Sequence, residues 1–272
     1  MQVARLSGGR IHLHHGPIDL IVWAEGADAD QAMRQAEARF DGLLARLAAE
    51  LPQLRSPHPQ TFTDPIAQAM AAAVAPFRPD FITPMAAVAG AVADAVLAAM
   101  CHGTALNRAY VNNGGDIALH LAPGHSLTAA MAGGGRVVLR HGEGIGGIAT
   151  SGRGGRSFSF GIADAVTVLA RTAAMADAAA TMIANAVDLP GHPAITRQPA
   201  RQLQADSDLC DRLVTTALGP LTPAEVAQAL TAGETCARAY AAHGLLAGAG
   251  LFLHSASRTI GYLGLEKEPA FA

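Results

Sequence analysis

The stretch "AYVNNGGDIALHL", residues 109–121, decides how the middle of the chain folds, because an apolar run stops at two asparagines, two glycines and an aspartate. Its apolar residues predict a strand from Ala109 to Ile117. The glycines allow positive φ and a close approach of the backbone to a ligand. Two interpretations fit the sequence: a turn ordered by asparagine and aspartate side chains, and a turn that binds a nucleotide.

Composition restricts the class of protein. The chain has 272 residues, of which 50% are hydrophobic and 15% are charged, and its formal net charge is −3. The length suits a domain with a large core, and the charge gives no reason to expect a nucleic-acid surface. Apolar stretches are too short for a membrane span. Three separated cysteines without a CxxC pair support neither a disulfide framework nor a zinc site, and we expect a soluble cytoplasmic protein.

The pattern along the chain predicts strands and helices in alternation. An opening β-meander precedes an amphipathic helix from Asp28 to Leu51, and an Ala-rich helix that carries Asp94 runs from Thr83-Pro84 to about Met100. A buried strand from Ala163 to Ala170 leads directly into a helix from Thr172 to Val187. We therefore predict a mixed α/β fold, with one domain over residues 1–272 and a central mixed sheet flanked by helices.

The second of these helices carries a carboxylate and a hydroxyl among alanines. Asp177 and Thr181 are four residues apart, so both project from one helix face. Two hard oxygen donors in this arrangement suit Mg²⁺, which keeps waters or substrate phosphates as its other ligands. The alternative is that the Thr181 hydroxyl bonds back to the Asp177 carbonyl while the Asp177 carboxylate is solvated.

A glycine-rich segment with hydroxyl and basic side chains, "GIATSGRGGRSFSFG", spans residues 147–161. Loops of this composition cradle phosphates with backbone N–H groups and basic side chains, although a flexible surface loop has the same composition. We expect the turn from Asn112 to Asp116, the loop from Thr150 to Ser157 and the helix start near Asp177 to converge around one cavity.

Five segments occur in the order "ITPMAAVAGAVADAV", "AYVNNGGDIAL", "GIATSG", "ADAVTVLA" and "AAMADAAAT". This ordered set resembles the ApbE-like superfamily, and within it the chain is most similar to the uncharacterised UPF0280 family. The resemblance covers most of the chain. It implies a mixed α/β domain that binds a flavin nucleotide in a cleft. Characterised members are magnesium-dependent FAD:protein FMN transferases, which split the FAD pyrophosphate and attach FMN to a threonine or serine of a target flavoprotein.

The resemblance assigns expected roles to residues of this chain. Asp177 and Thr181 match the aspartate and threonine that hold the metal. The predicted contacts of the flavin nucleotide, FAD or FMN, lie in the central turn and in the glycine-rich segment: Asn113, Gly114, Gly115, Asp116, Thr150, Ser151, Gly152 and Ser157.

Two departures from the transferases affect the predicted chemistry. Ala89 stands where the transferases carry a lysine, and the segment before the buried strand, "SFSFGIAD", has no histidine where they carry one. Asp164 is the remaining candidate for an acid–base group in this segment. Phosphoryl transfer depends on positioned charge and a proton acceptor, so these losses should cost several orders of magnitude in rate.

Three functions follow from this pattern. One is a magnesium-dependent transferase or hydrolase that acts on a nucleotide phosphoanhydride. A second is a module that binds a flavin, another nucleotide or a pterin-like ring without turnover. A third is unrelated chemistry in the same cleft. The expected partners are a small-molecule nucleotide and a target flavoprotein, and a homo-oligomer is left open.

Overall fold

The computed structural model describes residues 1–132, 134–261, 263 and 265–266. Its α-helices are α1 (Ala29–Phe40), α2 (Leu43–Ala49), α3 (Leu51–Leu54), α4 (Pro65–Val74), α5 (Val88–Cys101), α6 (Ala173–Ala186), α7 (Ala200–Leu203) and α8 (Pro223–Ala242). Its strands are β1 (Gln2–Arg5), β2 (Ile11–His15), β3 (Ile18–Gly26), β4 (Leu106–Asn113), β5 (Asp116–Leu121), β6 (Ser126–Ala130), β7 (Arg136–Arg140), β8 (Gly147–Ser151), β9 (Ala165–Ala170), β10 (Ile195–Pro199), β11 (Leu213–Leu218), β12 (Gly248–Leu253), β13 (Ala256–Gly261) and β14 (Leu265–Glu266). The predicted mixed α/β fold is confirmed.

Contacts between backbone segments divide the chain into two compact units. The first contains Met1–Ala129, Val138–Ala149 and Ala170–Ala178, and the second contains Ala130–Val137, Thr150–Leu169 and Ala179–Ala272. Because each unit takes in three stretches of sequence, no single cut separates them. The prediction of one domain over residues 1–272 stays a prediction.

An antiparallel run of strands forms the sheet of the first unit. The strands follow one another in the order β1-β2-β3-β4-β5-β8, and each pair is antiparallel. Burial alternates along β2, β3 and β4, as expected for strands with one buried face. Helices α1 and α5 pack on this sheet, and α1 buries Ala32, Ala36 and Phe40 along one stripe.

Two predicted elements are interrupted by glycine. The predicted helix from Asp28 to Leu51 is broken at Gly42, whose left-handed backbone (φ 67°) ends α1 and starts α2. The predicted strand from Ala109 to Ile117 is a hairpin, in which Asn113 pairs with Asp116. Gly114 and Gly115 form its two-residue loop with φ of 65° and 114°. Positive φ at both positions is typical of the tight hairpin turn that glycine favours.

The Ala-rich helix begins later than its sequence predicts. Pro84–Ala87 forms a 3₁₀ turn, and the α-helix proper starts at Val88. Among the described residues, the segment Pro84–Cys101 is long and apolar enough to cross a membrane by length and composition, and half of it is buried within the protein. Because α5 packs against α1, α4, β4 and β5, its apolar residues belong to the core of the first unit, as predicted.

The second unit contains the predicted buried strand. All six residues of β9 are buried, and β9 pairs with β12, which pairs on its other side with β13. Helix α8 packs on β12 and β13. Its N-terminus has a capping box, in which the Thr222 hydroxyl accepts from the Glu225 N–H and the Glu225 carboxylate accepts from the Thr222 N–H. Burial of β9 is confirmed.

The beginnings of α5 and α6 are in close contact within the first unit. A Cβ atom added at Gly90 would lie 2.3 Å from the carbonyl oxygen of Ala173 and 2.6 Å from the amide nitrogen of Ala174. Atoms cannot approach this closely, so glycine at position 90 is a condition of this contact.

We expect Gly90→Ala to destabilise the protein by about 1–3 kcal/mol, because relieving the overlap with the Ala173 backbone must move one helix against the other. At an exposed glycine within a helix, the same substitution would stabilise the protein, since alanine is the better helix former. Chemical denaturation measures the change, and Ala98→Gly on the exposed face of α5 calibrates the effect of propensity alone. A more stable Gly90→Ala variant would contradict the close contact.

Candidate functional site

The carboxylate of Asp177 caps the first turn of α5. Its Oδ2 atom accepts a hydrogen bond from the Gly90 N–H at 3.0 Å, and the Ala89 N–H also donates to this carboxylate. The first N–H groups of a helix have no partner within the helix, so a side-chain oxygen that accepts from them stabilises the helix start. Asp177 is therefore not the solvated carboxylate of the alternative interpretation.

The surroundings of Asp177 disfavour its charge. Burial of the carboxyl group raises its pKa well above the ordinary aspartate value, and the neighbouring Asp116 charge raises the pKa further. Asp94 contributes in the same direction, whereas the hydrogen bonds from Gly90 and Ala89 oppose the increase. A carboxyl group held close to two others needs a proton or a cation to offset the repulsion.

Asp94 makes the matching contact in the opposite direction. From α5, its Oδ1 and Oδ2 atoms accept from the N–H groups of Ala173 and Ala174 at 3.0 and 2.9 Å, which are the first two amides of α6. Burial raises the pKa of Asp94, and these two hydrogen bonds counter that effect. Each of the two helices is thus capped by a carboxylate from the other.

The hairpin turn of β4 and β5 is attached to the same helix start. The buried Asn113 side chain donates from Nδ2 to the Ala89 carbonyl at 3.1 Å. Within the turn, the Gly115 N–H donates to Oδ1 of Asn112 at 2.8 Å, so the turn is ordered by an asparagine side chain, as one interpretation proposed. Gly114 and Gly115 are exposed at the tip of the turn. The negative charge of the next residue, Asp116, raises the pKa of Asp177.

Thr181 lies one helical turn after Asp177 and is half-buried. The Thr231 and Thr235 hydroxyls of α8 bond back to the carbonyls four residues earlier at 2.8 and 2.9 Å, which is the contact that the alternative interpretation gives to Thr181. The role of Thr181 stays a prediction. Its position on the helix leaves Thr181 on the same face as Asp177.

The remaining predicted nucleotide contacts belong to the second unit. The Thr150 hydroxyl lies 2.9 Å from the hydroxyl of the buried Thr167, at the end of β8. Gly152 has φ of 147°, and a Cβ atom there would lie 2.7 Å from the Asp164 carbonyl oxygen. Ser151 is half-buried and Ser157 is exposed. Convergence of Ser151 with Gly115 and Asp177 stays a prediction.

Asp164, the predicted base, joins two segments of the second unit. Its Oδ1 atom accepts from Arg153 at 2.5 Å, and its Oδ2 atom accepts from the His254 N–H at 2.6 Å. His254 has a positive φ of 52° in the turn between β12 and β13. Because both carboxylate oxygens already accept hydrogen bonds, the geometry favours a structural role, and the role as a base stays a prediction.

The predicted metal ligands, Asp177 and Thr181, are both oxygen donors. Among the described residues, no group of three or more His, Cys, Asp or Glu side chains could hold a metal ion. A metal at Asp177 would therefore take most of its ligands from hydroxyl groups, water or a substrate, and the magnesium site stays a prediction. Mg²⁺ accepts such a set because it retains several waters in protein sites.

The partners of Asp177 lie far from it in the sequence. Neither the backbone of Ala89 and Gly90 nor the capping role of Asp94 was predicted, because these contacts join segments more than seventy residues apart. The available signal was Asp94 itself, since a carboxylate on an otherwise apolar, Ala-rich helix requires a buried partner.

Comparison with known proteins gives a consistent family assignment. A family model described as "AbpE bacteria" matches residues 3–260. A UPF0280 protein of Methanopyrus kandleri is 40% identical over 131 residues, which cover 44% of this chain and 48% of that protein. A UPF0280 protein of Methanothrix thermoacetophila is 41% identical over 112 residues, which cover 39% of this chain and 46% of that protein. The chain thus spans about half the length of the curated relatives it matches.

We expect Asp177→Asn to be more stable than the wild type at neutral pH without divalent cations, by about 1 kcal/mol, because asparagine keeps an acceptor for the Gly90 N–H and removes the disfavoured charge. The folded-state pKa of Asp177 lies above its unfolded value, so the wild type loses stability as pH rises through that folded pKa. The advantage of the variant should disappear below the ordinary aspartate pKa.

Thermal unfolding between pH 3 and pH 8 in the presence of a chelator measures this difference. Asp30→Asn, at an exposed position in the first turn of α1, is the control and should stay within about 0.5 kcal/mol of the wild type at every pH. A variant of Asp177 that is less stable than the wild type at neutral pH would show that the charge itself stabilises the helix start.

We expect Asp164→Asn to loosen the loop at residues 152–157 and the turn at His254, because asparagine cannot accept hydrogen bonds from both Arg153 and His254 as the carboxylate does. Hydrogen exchange of both segments should accelerate severalfold, with a stability loss of about 1 kcal/mol, since the ion pair is partly exposed. Arg153→Ala should loosen the loop but not the turn. Unchanged exchange together with a complete loss of FAD cleavage would identify Asp164 as a base instead.

Proposed function

The chain belongs to the UPF0280 family of ApbE-like proteins, and from this membership we propose that it binds a flavin or a related nucleotide through Mg²⁺ near Asp177 and transfers FMN poorly. The observation that carries this proposal is the Asp177 carboxyl group, whose pKa is raised by burial and by the charge of Asp116. Two carboxylates repel a phosphate unless a cation lies between them, so binding of a phosphate-bearing ligand near them should depend on a metal.

The proposed metal ligands are Asp177 and, one turn later on the same helix face, Thr181, with Asp116 close enough to add charge or bind through water. A bound Mg²⁺ would neutralise negative charge on the phosphates and orient them. Gly90 and Ala89 would hold the Asp177 carboxylate in a fixed orientation through their N–H groups. Asn113 would hold that segment in place from the hairpin turn through the Ala89 carbonyl.

Poor transfer is expected from two departures from the resembled transferases. Ala89 supplies no cation where the resembled transferases carry a lysine. Asp164 is engaged by Arg153 and His254, and no histidine precedes it in the segment "SFSFGIAD". Without a positioned cation and a free base, cleavage of the FAD pyrophosphate should be slow, because electrostatic stabilisation supplies most of the catalysis in this class of reaction.

Binding without turnover is therefore the favoured form of this function, and a hydrolase or transferase is its less favoured form. The nucleotide contacts predicted at Asn113 to Asp116, Thr150 to Gly152 and Ser157 remain part of the proposal. The proposal also includes a flavoprotein as the target of transfer and a cytoplasmic location. The half-buried Asp116, at the edge of the turn, is the residue that would contact the ribose or the base edge of the nucleotide.

We expect FAD, FMN and ADP to bind in the presence of Mg²⁺ and to lose at least 100-fold in affinity with a chelator, because the phosphates would otherwise meet two carboxylates. Calorimetry measures the affinity. Asp177→Ala should abolish the dependence on Mg²⁺ together with binding, and Thr181→Val should weaken binding about tenfold by removing one ligand. Thr231→Val, at an exposed threonine of α8, is the matched control. Binding that persists without Mg²⁺, or in Asp177→Ala, would reject the metal site.

We expect FMN transfer to be slower by several orders of magnitude than in a transferase with the lysine and the histidine, since a cation and a base are missing. The protein is incubated with FAD, Mg²⁺ and a flavinylatable target domain, and covalent flavin is followed by in-gel fluorescence. A characterised transferase of the same superfamily is the positive control. Rapid labelling of the target would mean that other residues replace the missing groups.

A further inference from the structure

The first turns of α5 and α6 are capped reciprocally with the same spacing. On α5, Asp94 follows Gly90 by four residues, and on α6, Asp177 follows Ala173 by four residues. The Gly90 N–H donates to Asp177, and the Ala173 and Ala174 N–H groups donate to Asp94. Each carboxylate therefore stands one turn beyond the amides that the other carboxylate caps.

We propose that Asp94 is a positioning residue for Asp177: by binding the first two amides of α6 it fixes where that helix begins, and hence where the Asp177 carboxylate lies against α5. Residues one turn apart in a helix keep a fixed separation, so a displacement of Ala173 displaces Asp177 with it. The contact at Gly90 is tight, because the Ala173 carbonyl oxygen lies 2.3 Å from the position that a Cβ atom of residue 90 would take.

Other caps of α6 do not perform this function. The Thr172 hydroxyl accepts from the Met175 N–H at 3.2 Å, and the Thr172 carbonyl accepts from the Ala176 N–H at 3.1 Å. Both partners belong to the same local segment, so they stabilise the start of α6 without reference to α5. Among these caps of α6, Asp94 is the one that comes from α5. Thr172→Ala is thus a matched variant that removes a cap from the same turn and preserves the connection.

The first experiment needs no metal. Amide hydrogen exchange of Gly90 is measured by NMR in the wild type, Asp94→Asn and Thr172→Ala, together with global stability. An asparagine offers one acceptor oxygen in place of two, so the Gly90 N–H should exchange at least tenfold faster in Asp94→Asn than the change in global stability explains. In Thr172→Ala, Gly90 exchange should follow global stability alone. Equal behaviour of the two variants would overturn the positioning role.

The second experiment tests the consequence for the metal and rests on the proposed function. Calorimetry with Mg²⁺ alone should show about tenfold weaker binding in Asp94→Asn and wild-type affinity in Thr172→Ala, as expected when a residue that orients a metal ligand is changed. Asp94→Glu keeps both oxygens and the charge, and serves if Asp94→Asn does not fold; it should show the same two effects, because the longer side chain displaces the acceptor. Unchanged Mg²⁺ affinity in both variants would overturn the positioning of a metal ligand.

The two experiments separate the two ideas. If the wild type binds no Mg²⁺, the proposed function fails, and the Gly90 exchange data still decide whether Asp94 positions Asp177. If the wild type binds Mg²⁺ and Gly90 exchange is insensitive to Asp94, the metal site stands and the positioning role is rejected.

Discussion

The first unit depends on one constraint: two helices begin side by side where Gly90, Ala173 and Ala174 are buried, so their first amides need acceptors from the protein itself. Each helix supplies the acceptor for the other: Asp177 of α6 caps α5, and Asp94 of α5 caps α6. Gly90 makes the exchange possible, because any larger residue would overlap the Ala173 backbone. The β4–β5 turn joins the same point through Asn113 and the Ala89 carbonyl. A helix pair, a hairpin and the candidate site are thus fixed by one small group of hydrogen bonds.

Local patterns in the sequence predicted most elements, and contacts between distant segments explain what they missed. The capping box at Thr222 and Glu225 was predictable because both residues lie within one turn of the same helix. The break at Gly42 was not predicted, because the hydrophobic periodicity continues through it while a left-handed glycine reverses the backbone locally. Asp177 was recognised as unusual by its apolar neighbours, but its partners were invisible, since nothing in the local sequence relates residue 177 to residues 89 and 90.

The site combines a structural role with an electrostatic cost. A neutral acceptor at position 177 would cap α5 without bringing a charge close to Asp116 and Asp94, so helix capping alone does not require a carboxylate there. The hydrogen bonds from Gly90 and Ala89 offset part of the cost and leave the pKa well above its ordinary value. A carboxyl group with a raised pKa and two acidic neighbours would be favoured in its charged form by a nearby cation. Capping and metal binding are therefore compatible roles for the same side chain.

At position 89, the contacts that hold the fold are made by the backbone and not by the side chain. The contacts that fix the position use only the backbone: the Ala89 N–H donates to Asp177, and the Ala89 carbonyl accepts from Asn113. Any L-residue with helical backbone geometry can make both, so alanine preserves the arrangement that holds Asp177 while it omits the lysine of the resembled transferases. The side chain at position 89 takes no part in these hydrogen bonds, so the Asp177 carboxylate and the hairpin turn are held in the same way with alanine there.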